Sequence, residues 1–175
     1  AGALVALGMN GEPLTEVHGA PARLVVPGLY GYVSATKWLE RIELATWQDR
    51  SGYWMPRGWS RLGPMKTAAR IDIPRQGGDV AAGAVTVAGM AWSRGGPVSR
   101  IEVGTPDGSW YEAELGSVTA EHSWRQWWTQ VDLPPGRAEI FVRAYDAAGV
   151  MQTQDIADVA PDGATGWHSV VVDVA

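Results

Sequence analysis

Three basic side chains near the start of the chain have the chemistry to bind an anion. His18 and Arg23 are five residues apart, a glycine-rich turn follows at 28–31, and Lys37 comes six residues later. An imidazole, a guanidinium fork and an ammonium point charge suit a phosphate-bearing group, and the turn's backbone amides supply further donors. In the alternative interpretation, His18 stabilises a turn, Arg23 pairs with a local acid and Lys37 is a solvated surface charge.

The remaining residue types argue against most catalytic and metal sites. The chain has no cysteine, and its three histidines, His18, His122 and His168, are widely separated without any i, i+4 pairing. Disulfides, thiolate ligands and a thiol nucleophile are excluded, and a histidine metal centre is not expected. No nucleophile elbow, phosphate-binding P-loop, dinucleotide fingerprint or glycosidase carboxylate pair occurs. The sequence therefore predicts no catalytic residue and no metal ligand within this chain.

Composition and charge divide the 175 residues into two parts. The 22 glycines, 11 prolines and 10 tryptophans favour a β-rich globular protein. Residues 1–75 hold nine Lys or Arg against six acids, whereas residues 76–175 hold five against thirteen. The first part is thus better suited to an anion. The net charge of −5 argues against nucleic acid as a partner. No apolar run is long enough to span a membrane, and the short apolar opening lacks the basic region of a signal peptide.

The second part reads as about seven strands separated by turns. Apolar and polar residues alternate along these segments, and turns such as Thr105-Pro106-Asp107-Gly108 connect them. The predicted strands are Ala84–Ala91, Arg100–Val103, Ser109–Leu115, Trp124–Leu133, Arg137–Asp146, Val150–Gln154 and Trp167–Val174. This number and spacing match an immunoglobulin-like β-sandwich without its disulfide.

The first part lacks the pattern of a complete domain. Leu24–Val26 predicts one short buried strand, and Lys37–Leu44 suits either a strand or a short helix. From Trp47 to Pro64 the residues show no period, and such a long loop is usually functional or packed against something else. We therefore expect Ala1 to lie inside a larger domain, and the tail nearest to it to be poorly packed.

The sequence motifs of both parts resemble those of the sulfite oxidase family. The first part contains Asn10-Gly11-Glu12-Pro13-Leu14, then His18-Gly19-Ala20-Pro21-Ala22-Arg23, then Val25-Val26-Pro27-Gly28 and Lys37-Trp38-Leu39, in the family's order. The second part contains Ala88-Gly89-Met90-Ala91-Trp92-Ser93, Asp107-Gly108-Ser109-Trp110, Trp124-Arg125-Gln126-Trp127 and Trp167-His168-Ser169-Val170. The resemblance covers nearly the whole chain. The sequence of residues 28–39 is particularly similar to that of membrane-anchored bacterial members of the family.

The resemblance implies a division of labour between two domains. Residues 1–72 correspond to the C-terminal fragment of an α+β molybdopterin-binding domain, and residues 73–175 to an immunoglobulin-like dimerisation domain. His18, Arg23 and Lys37 correspond to residues that contact the pterin cofactor in the family. The parent protein would bind molybdenum–molybdopterin, form a homo-oligomer through the β-sandwich, and reach a membrane only through an anchor outside this chain.

The sequence departs from the family at three places. The molybdenum ligand of the family is an upstream cysteine, and because this chain has no Cys we expect it to bind no cofactor and to be inactive by itself. Trp59 occupies the position at which sulfite oxidases have a tyrosine on the substrate side of the active site. The segment 160–166 lacks the family's arginine and contains Asp162, which argues against sulfite as the substrate. Arg57 is a candidate anion contact, with a surface role as the alternative.

The tryptophans of the second part support a rival hypothesis. Six of them, Trp92, Trp110, Trp124, Trp127, Trp128 and Trp167, suit either the core and an interface or an exposed aromatic face. Strand alternation places Trp124 and Trp128 on one face and Trp127 on the other. In the rival hypothesis the chain is a non-catalytic immunoglobulin-like binding module, whose Trp-rich face recognises a carbohydrate or a protein.

Overall fold

The chain divides into two compact units. The first comprises residues 1–65 together with 158–163, and the second comprises 66–157 together with 164–175. The computed structural model describes residues 2–46, 48–120 and 122–175. The expectations that concern Ala1 itself and the first residue of the long loop, Trp47, lie outside the described residues.

Short elements joined by turns make up the first unit. In chain order these are β1 (Leu4–Ala6), β2 (Gly8–Met9), β3 (Glu12–Pro13), a 3-10 helix over Glu16–His18, β4 (Arg23–Val25), α1 (Gly31–Ser34), β5 (Ala35–Thr36) and a second 3-10 helix over Met55–Arg57. Strands β1, β4 and β5 form an antiparallel sheet in that order, and β2 pairs with β3. Leu4, Val5 and Leu7 are 46% to 68% exposed, and the apolar core cluster lies in the second unit.

The segment Lys37–Leu44 forms neither the strand nor the helix that its pattern suits. Only the two residues before it, Ala35 and Thr36, pair in a sheet. Trp38 then adopts a left-handed φ of +54°, which is incompatible with a continuing strand or a right-handed helix. The predicted strand at Leu24–Val26 is present as β4. Across the described ranges, no helix has both the length and the apolarity to cross a membrane.

Within its described residues, the second unit has nine strands in two sheets. They are β6 (Ala68–Ile73), β7 (Asp79–Val80), β8 (Gly83–Trp92), β9 (Arg100–Gly104), β10 (Trp110–Glu112), β11 (Glu114–Leu115), β12 (Arg125–Leu133), β13 (Gly136–Tyr145) and β14 (His168–Val174). One sheet has the order β10-β9-β13-β14-β7 and the other β11-β12-β8-β6. All neighbours are antiparallel except β14 and β7. The immunoglobulin-like β-sandwich is confirmed.

The core of the sandwich comes from the alternation read in the sequence. In β8, Val85 and Val87 are buried while the intervening Thr86 is exposed. In β12, Trp127 is 2% exposed and its neighbour Trp128 is 45% exposed, as the alternation predicted. Apolar side chains from both sheets form one cluster. Removal of this apolar surface from water is the main force holding the sheets together.

Two features raise the strand number above the predicted seven. Strands β6 and β7 were not predicted, and the segment Ser109–Leu115 is divided into β10 and β11, which belong to different sheets. Ala113 lies between them, is buried, and donates its amide to the Ile101 carbonyl at 2.9 Å. The chain therefore crosses from one sheet to the other within this predicted strand.

The predicted strand Val150–Gln154 is wrong. It makes a single bridge, between Met151 and Tyr145. The buried Gln152 holds the segment instead: its Oε1 accepts from the Ala144 amide at 3.2 Å, and its Nε2 donates to the Gly166 carbonyl at 2.8 Å. A side-chain amide with both a donor and an acceptor thus adds to the two backbone hydrogen bonds that join this segment to residues 144–146.

His168 links the two sheets through a side-chain hydrogen bond. Its Nδ1 accepts a hydrogen bond from the Ile71 amide at 3.1 Å, linking β14 to β6. Burial, together with the nearby charge of Arg70, lowers the pKa of His168. Both effects favour the neutral imidazole, which is the form that can accept this bond. His168 is therefore a structural residue of the sandwich.

Candidate anion-binding site

The first 3-10 helix brings two of the three predicted anion-binding side chains onto one short segment. The Lys37 ammonium donates to the Val17 carbonyl at 3.2 Å. Arg23 Nη1 donates to the His18 carbonyl at 3.4 Å. Both carbonyls lie at the C-terminal end of Glu16–His18, where the backbone dipoles attract cations. His18, Arg23 and Lys37, separated by up to 19 positions in the chain, therefore meet around one turn.

Trp38 also hydrogen-bonds to this helix and to the glycine that follows it. Its Nε1 donates to the Glu16 carbonyl at 2.8 Å, and its amide donates to the Gly19 carbonyl at 3.2 Å. The Lys37 ammonium lies 4.6 Å from the centroid of the Trp38 ring, within the range of a cation–π interaction. The indole therefore fixes both the backbone of the segment that bears Lys37 and the position of its charge.

Gly19 permits the close approach of the segment that bears Lys37. Its φ is +106°, and a Cβ placed there would lie 2.9 Å from Lys37 Cβ and 3.0 Å from Lys37 Cα. The second of these atoms belongs to the backbone, so a rotamer change cannot relieve the contact. The glycine of the His-Gly pair is required because the segment bearing Lys37 passes directly over it.

Gly19→Ala is expected to open the site locally. The substitution adds left-handed strain of about 1 kcal/mol and an overlap with the Lys37 backbone that costs about 2 kcal/mol more. Hydrogen exchange of the Trp38 and Leu39 amides, which bond to the Gly19 and Ala22 carbonyls, should accelerate on the order of a hundredfold.

Gly11→Ala is the matched control for this exchange experiment. Gly11 also has a positive φ, +83°, but a Cβ there would meet no atom within 4 Å. It therefore carries the conformational strain without the overlap. Equal exchange rates at Trp38 in the two variants would contradict the close approach.

His18 has the contacts of a structural residue, whereas Arg23 has a donor that is available to an anion. His18 Nδ1 and the Thr15 hydroxyl lie 2.8 Å apart and close the turn, as the structural alternative predicted. Arg23, however, bonds to a carbonyl rather than to an acid, and its Nε is buried without a hydrogen-bond partner in the part of the chain that is described. A buried guanidinium donor without a partner is costly unless an acceptor is supplied.

A pocket of about 560 Å³ opens beside Lys37 in the first unit. This volume lies within the range of small-molecule and cofactor sites. Side chains that give it its aromatic and cationic character include Tyr32, Lys37, Trp38, Tyr53, Trp54 and Arg61. His18 and Arg23 lie outside this lining, so the pocket and the turn share Lys37.

Trp59 belongs to an aromatic cluster with two residues of the pocket lining, Tyr32 and Trp54. Its ring centroid lies 4.6 Å from that of Tyr32 and 5.8 Å from that of Trp54. Its amide neighbour Ser60 donates to the Pro161 carbonyl at 2.7 Å. The segment that contains Asp162 thus packs with the first unit, although it follows most of the sandwich strands in the chain.

Arg57 is engaged within its own loop. Its Nη1 donates to the Tyr53 carbonyl at 2.8 Å, and its guanidinium lies 3.8 Å from the Tyr53 ring centroid. This arrangement matches the surface alternative for Arg57. In the described ranges, no three His, Asp or Glu side chains are grouped so that they could hold a metal ion.

Sequence reasoning did not single out Trp38 and Gly19. The left-handed φ of Trp38 has no signal in its own residue type, because such conformations are usual only for glycine and asparagine. The glycine next to His18 is compatible with a close backbone approach, but the residues around it do not indicate which segment of the chain packs against it.

Comparison with known families assigns a description to each part of the chain. Residues 1–54 match the oxidoreductase molybdopterin binding domain, and residues 62–175 match the Mo-co oxidoreductase dimerisation domain. The second match alone covers more than half of the chain.

Characterised proteins are similar to this chain along nearly its entire length. The mitochondrial sulfite oxidase of Macaca fascicularis is 32% identical over 203 residues, covering 100% of this chain and 37% of the relative. The sulfite oxidase of Arabidopsis thaliana is 28% identical, covering 97% and 51%. The crystal structure of the sulfane dehydrogenase SoxCD from Paracoccus pantotrophus superposes with a TM-score of 0.73 at 25% identity, covering 99% of this chain and 51% of that one.

The chain spans between about a third and a half of the length of these relatives. Both domain descriptions occur in the order expected from the sequence motifs, and the solved relative shares the fold over both units. The chain therefore belongs to the sulfite oxidase family of molybdopterin-dependent oxidoreductases.

Proposed function

We propose that this chain supplies part of the cofactor pocket and the dimerisation domain of a molybdopterin-dependent oxidoreductase. The observation that carries the proposal is the meeting of His18, Arg23 and Lys37 around the Glu16–His18 turn. Residues 1–72 are assigned to the end of the cofactor-binding domain and residues 73–175 to the dimerisation domain. The boundary falls within β6, seven residues beyond the division into compact units at Met65.

The donors at the turn fit a pterin that bears a phosphate. Arg23 offers a planar fork and one buried nitrogen without a partner, and Lys37 offers a point charge at the edge of the pocket. His18 would add a ring nitrogen. When bound, the cofactor supplies oxygen-atom or electron transfer, while this chain orients it and balances its negative charge.

The same proposal includes inactivity of the chain by itself. A thiolate is the ligand that the family uses to hold molybdenum, and this sequence contains no cysteine. The rest of the parent polypeptide would therefore provide that ligand. Neither cofactor retention nor turnover is expected from this chain alone.

The substrate differs among the relatives. The names of the matched proteins refer to sulfite and sulfane, and a nitrate reductase of Mycosarcoma maydis is 57% identical over 44 residues, which is 25% of this chain. At the proposed substrate side this chain has Trp59 and Asp162. An apolar ring in place of a hydroxyl, with an added negative charge, disfavours a small dianion such as sulfite. We propose an oxidoreductase with another substrate.

The first test is the size of the native polypeptide. A native extract is separated by size, an antibody detects this sequence, and molybdenum is assayed in the same fractions. We expect the antigen on a chain well above 18.8 kDa, with molybdenum co-eluting. Antigen at 18.8 kDa, or a larger chain without molybdenum, would overturn the proposal.

Charge removal at the turn tests the cofactor residues. Arg23→Gln and Lys37→Gln, introduced into the native gene, should each lower the molybdenum content per antigen by about tenfold, because each removes a charge-assisted hydrogen bond. Arg41→Gln is the matched control: the Arg41 side chain is 81% exposed and lies 3.5 Å from the Glu43 carboxylate. Unchanged molybdenum in both variants would leave His18, Arg23 and Lys37 as structural residues.

Exposed tryptophans favour a second candidate function. Trp124 and Trp128 are 46% and 45% exposed, whereas Trp92 and Trp127 belong to the interior. A non-catalytic module that binds a glycan or a protein through these two rings is the alternative. Antigen at the size of this chain without molybdenum would make it the leading interpretation.

A further inference from the structure

Strand β6 has one free edge. Its other edge pairs with β8, up to a β-bulge between Ile71 and Ile73. The Ile71 amide points away from β8, because it donates to His168 Nδ1 on the other sheet at 3.1 Å. The main-chain groups of successive residues alternate sides along a strand. The amide and carbonyl of Ala69 therefore point to the same free edge as the Ile71 amide.

The main chain of Ala69 is buried without a partner. The residue is only 6% exposed, and across the described residues no hydrogen bond outside the pairing of β6 with β8 reaches its amide or its carbonyl. Buried main-chain donors and acceptors are almost always paired, because an unpaired group loses its bonds to water without replacement. His168 satisfies the free edge at Ile71, and Ala69 is the position that still requires a partner.

A second main-chain edge borders the same space. The residues on either side of Met151 hydrogen-bond to residues 144 and 146, at 2.8 Å and 3.0 Å. The amide and carbonyl of Met151 itself therefore point away from those residues. Met151 and Ala69 both line a pocket of about 460 Å³ in the second unit. Two edges of main chain thus border one cavity.

Small side chains leave both of these edges accessible. Most residues that line the pocket are Ala, Gly or Thr, among them Ala68, Ala164 and Gly166. At its border, Val150 is 62% exposed and Met151 is 43% exposed. Exposed apolar side chains that adjoin one another are typical of an interaction site.

We propose that this pocket binds an extended segment of another protein, which adds as a strand to the free edge of β6 at Ala69. An extended peptide presents amides and carbonyls along both of its edges, so it can pair with Ala69 on one side and with Met151 on the other. The exposed Val150 and Met151 favour apolar side chains at alternate positions of that segment. No residue of the Glu16–His18 turn takes part, so this binding function is independent of the proposed cofactor role.

The test is amide hydrogen exchange of the full chain, followed by NMR with and without a synthetic peptide in which Val alternates with Ser. Saturating peptide should slow exchange of the Ala69 amide by about tenfold, because the amide gains an acceptor. The Ile71 amide already has His168 as its acceptor and is the internal control. An N-methylated form of the same peptide cannot donate from its main chain and should bind about tenfold more weakly.

Two substitutions test the position of the peptide. Ala69→Pro removes the amide at the free edge, where proline is tolerated because no bond to β8 is lost. Ala164→Trp fills the pocket. Each should weaken peptide binding by about tenfold or more. Ala81→Trp is the matched control for the filled pocket, because Ala81 is exposed and lies outside its lining. Circular dichroism melts establish that each variant is folded, and Ala164→Trp alone decides the test if Ala69→Pro does not fold.

Other occupants of the edge would overturn the proposal in distinguishable ways. Protection of the Ala69 amide that rises with the concentration of the wild-type chain alone would assign the edge to a second copy. Protection already present in the parent polypeptide, purified from a native extract as a single chain, would assign it to another segment of that polypeptide. An Ala69 amide that is indifferent to the peptide, or equal binding by the wild type and Ala164→Trp, would leave the edge to ordered water.

Discussion

Gly89→Ala is expected to destabilise the sandwich by about 4 kcal/mol or more and to lower its melting temperature by on the order of 10 °C. A Cβ at Gly89 would lie 1.8 Å from the Arg70 carbonyl oxygen and 2.8 Å from Cζ2 of Trp127. The first contact is with backbone and the second with a ring that is 2% exposed. Neither neighbour can move without separating β6 from β8 or opening the core.

Thermal unfolding followed by circular dichroism measures this effect. Gly95→Ala is the control, because a Cβ at Gly95 meets nothing within 4 Å and its φ is not positive. Its melting temperature should remain close to that of the wild type. If Gly89→Ala melts within about 2 °C of Gly95→Ala, the bulged strand β6 is able to shift and the close approach is not a constraint.

The strands that could be predicted are those whose alternation is long and strongly apolar. Val85 and Val87 in β8, and Trp127 in β12, point inward at the positions that a period of two requires. β7 has only two residues, and it forms because it pairs in parallel with β14, about 95 positions later in the chain. That pairing has no local signal. In β6, two alanines weaken the pattern although Ala69 and Ile71 are buried.

The candidate site was less accessible to sequence reasoning than the fold. The residue types of His18, Arg23 and Lys37 suggested anion chemistry, but the spacing alone did not show that they meet. Their meeting depends on Gly19 and on the left-handed backbone of Trp38. Both are consequences of how β4, β5 and the 3-10 helix pack, so family resemblance carried information that periodicity lacks.

Glu102→Gln is expected to cost about 2 kcal/mol of stability at neutral pH. The Glu102 side chain is 13% exposed. Its Oε2 accepts from Arg143 Nε at 2.6 Å and from the Tyr145 hydroxyl at 2.7 Å, and its Oε1 lies 3.2 Å from Arg100 Nη1. An amide keeps the size but loses the charge, and its nitrogen, which can only donate, cannot replace an oxygen that accepts from Arg143 or faces Arg100.

Urea unfolding at pH 7 measures this loss, with Glu112→Gln as the matched control. Glu112 lies directly opposite Glu102 on β10 and is exposed, so the same substitution should change stability by less than about 0.5 kcal/mol. A Glu102→Gln variant as stable as Glu112→Gln would mean that Arg143 is held by stacking on Trp110 alone.

The pH dependence of the Glu102 effect has a definite sign. Burial acts to raise the pKa of Glu102, but the hydrogen bonds from Tyr145 and Arg143 and the charges of Arg143 and Arg100 outweigh it and lower the pKa. Between its folded pKa and the unfolded pKa of about 4.3, Glu102 therefore holds fewer protons in the folded state than in the unfolded state. The stabilisation is complete above that pH and is lost as the pH falls through the folded pKa.

The wild type and Glu102→Gln should therefore converge in stability as the pH is lowered. Below the folded pKa, Glu102 is protonated and carries no more charge than the amide, so the difference measured at pH 7 shrinks. A series of urea titrations from pH 6 downward records this convergence. A difference that stays constant over the whole series would show that shape, and not charge, determines the contribution of Glu102, because only a charged carboxylate responds to pH in this window.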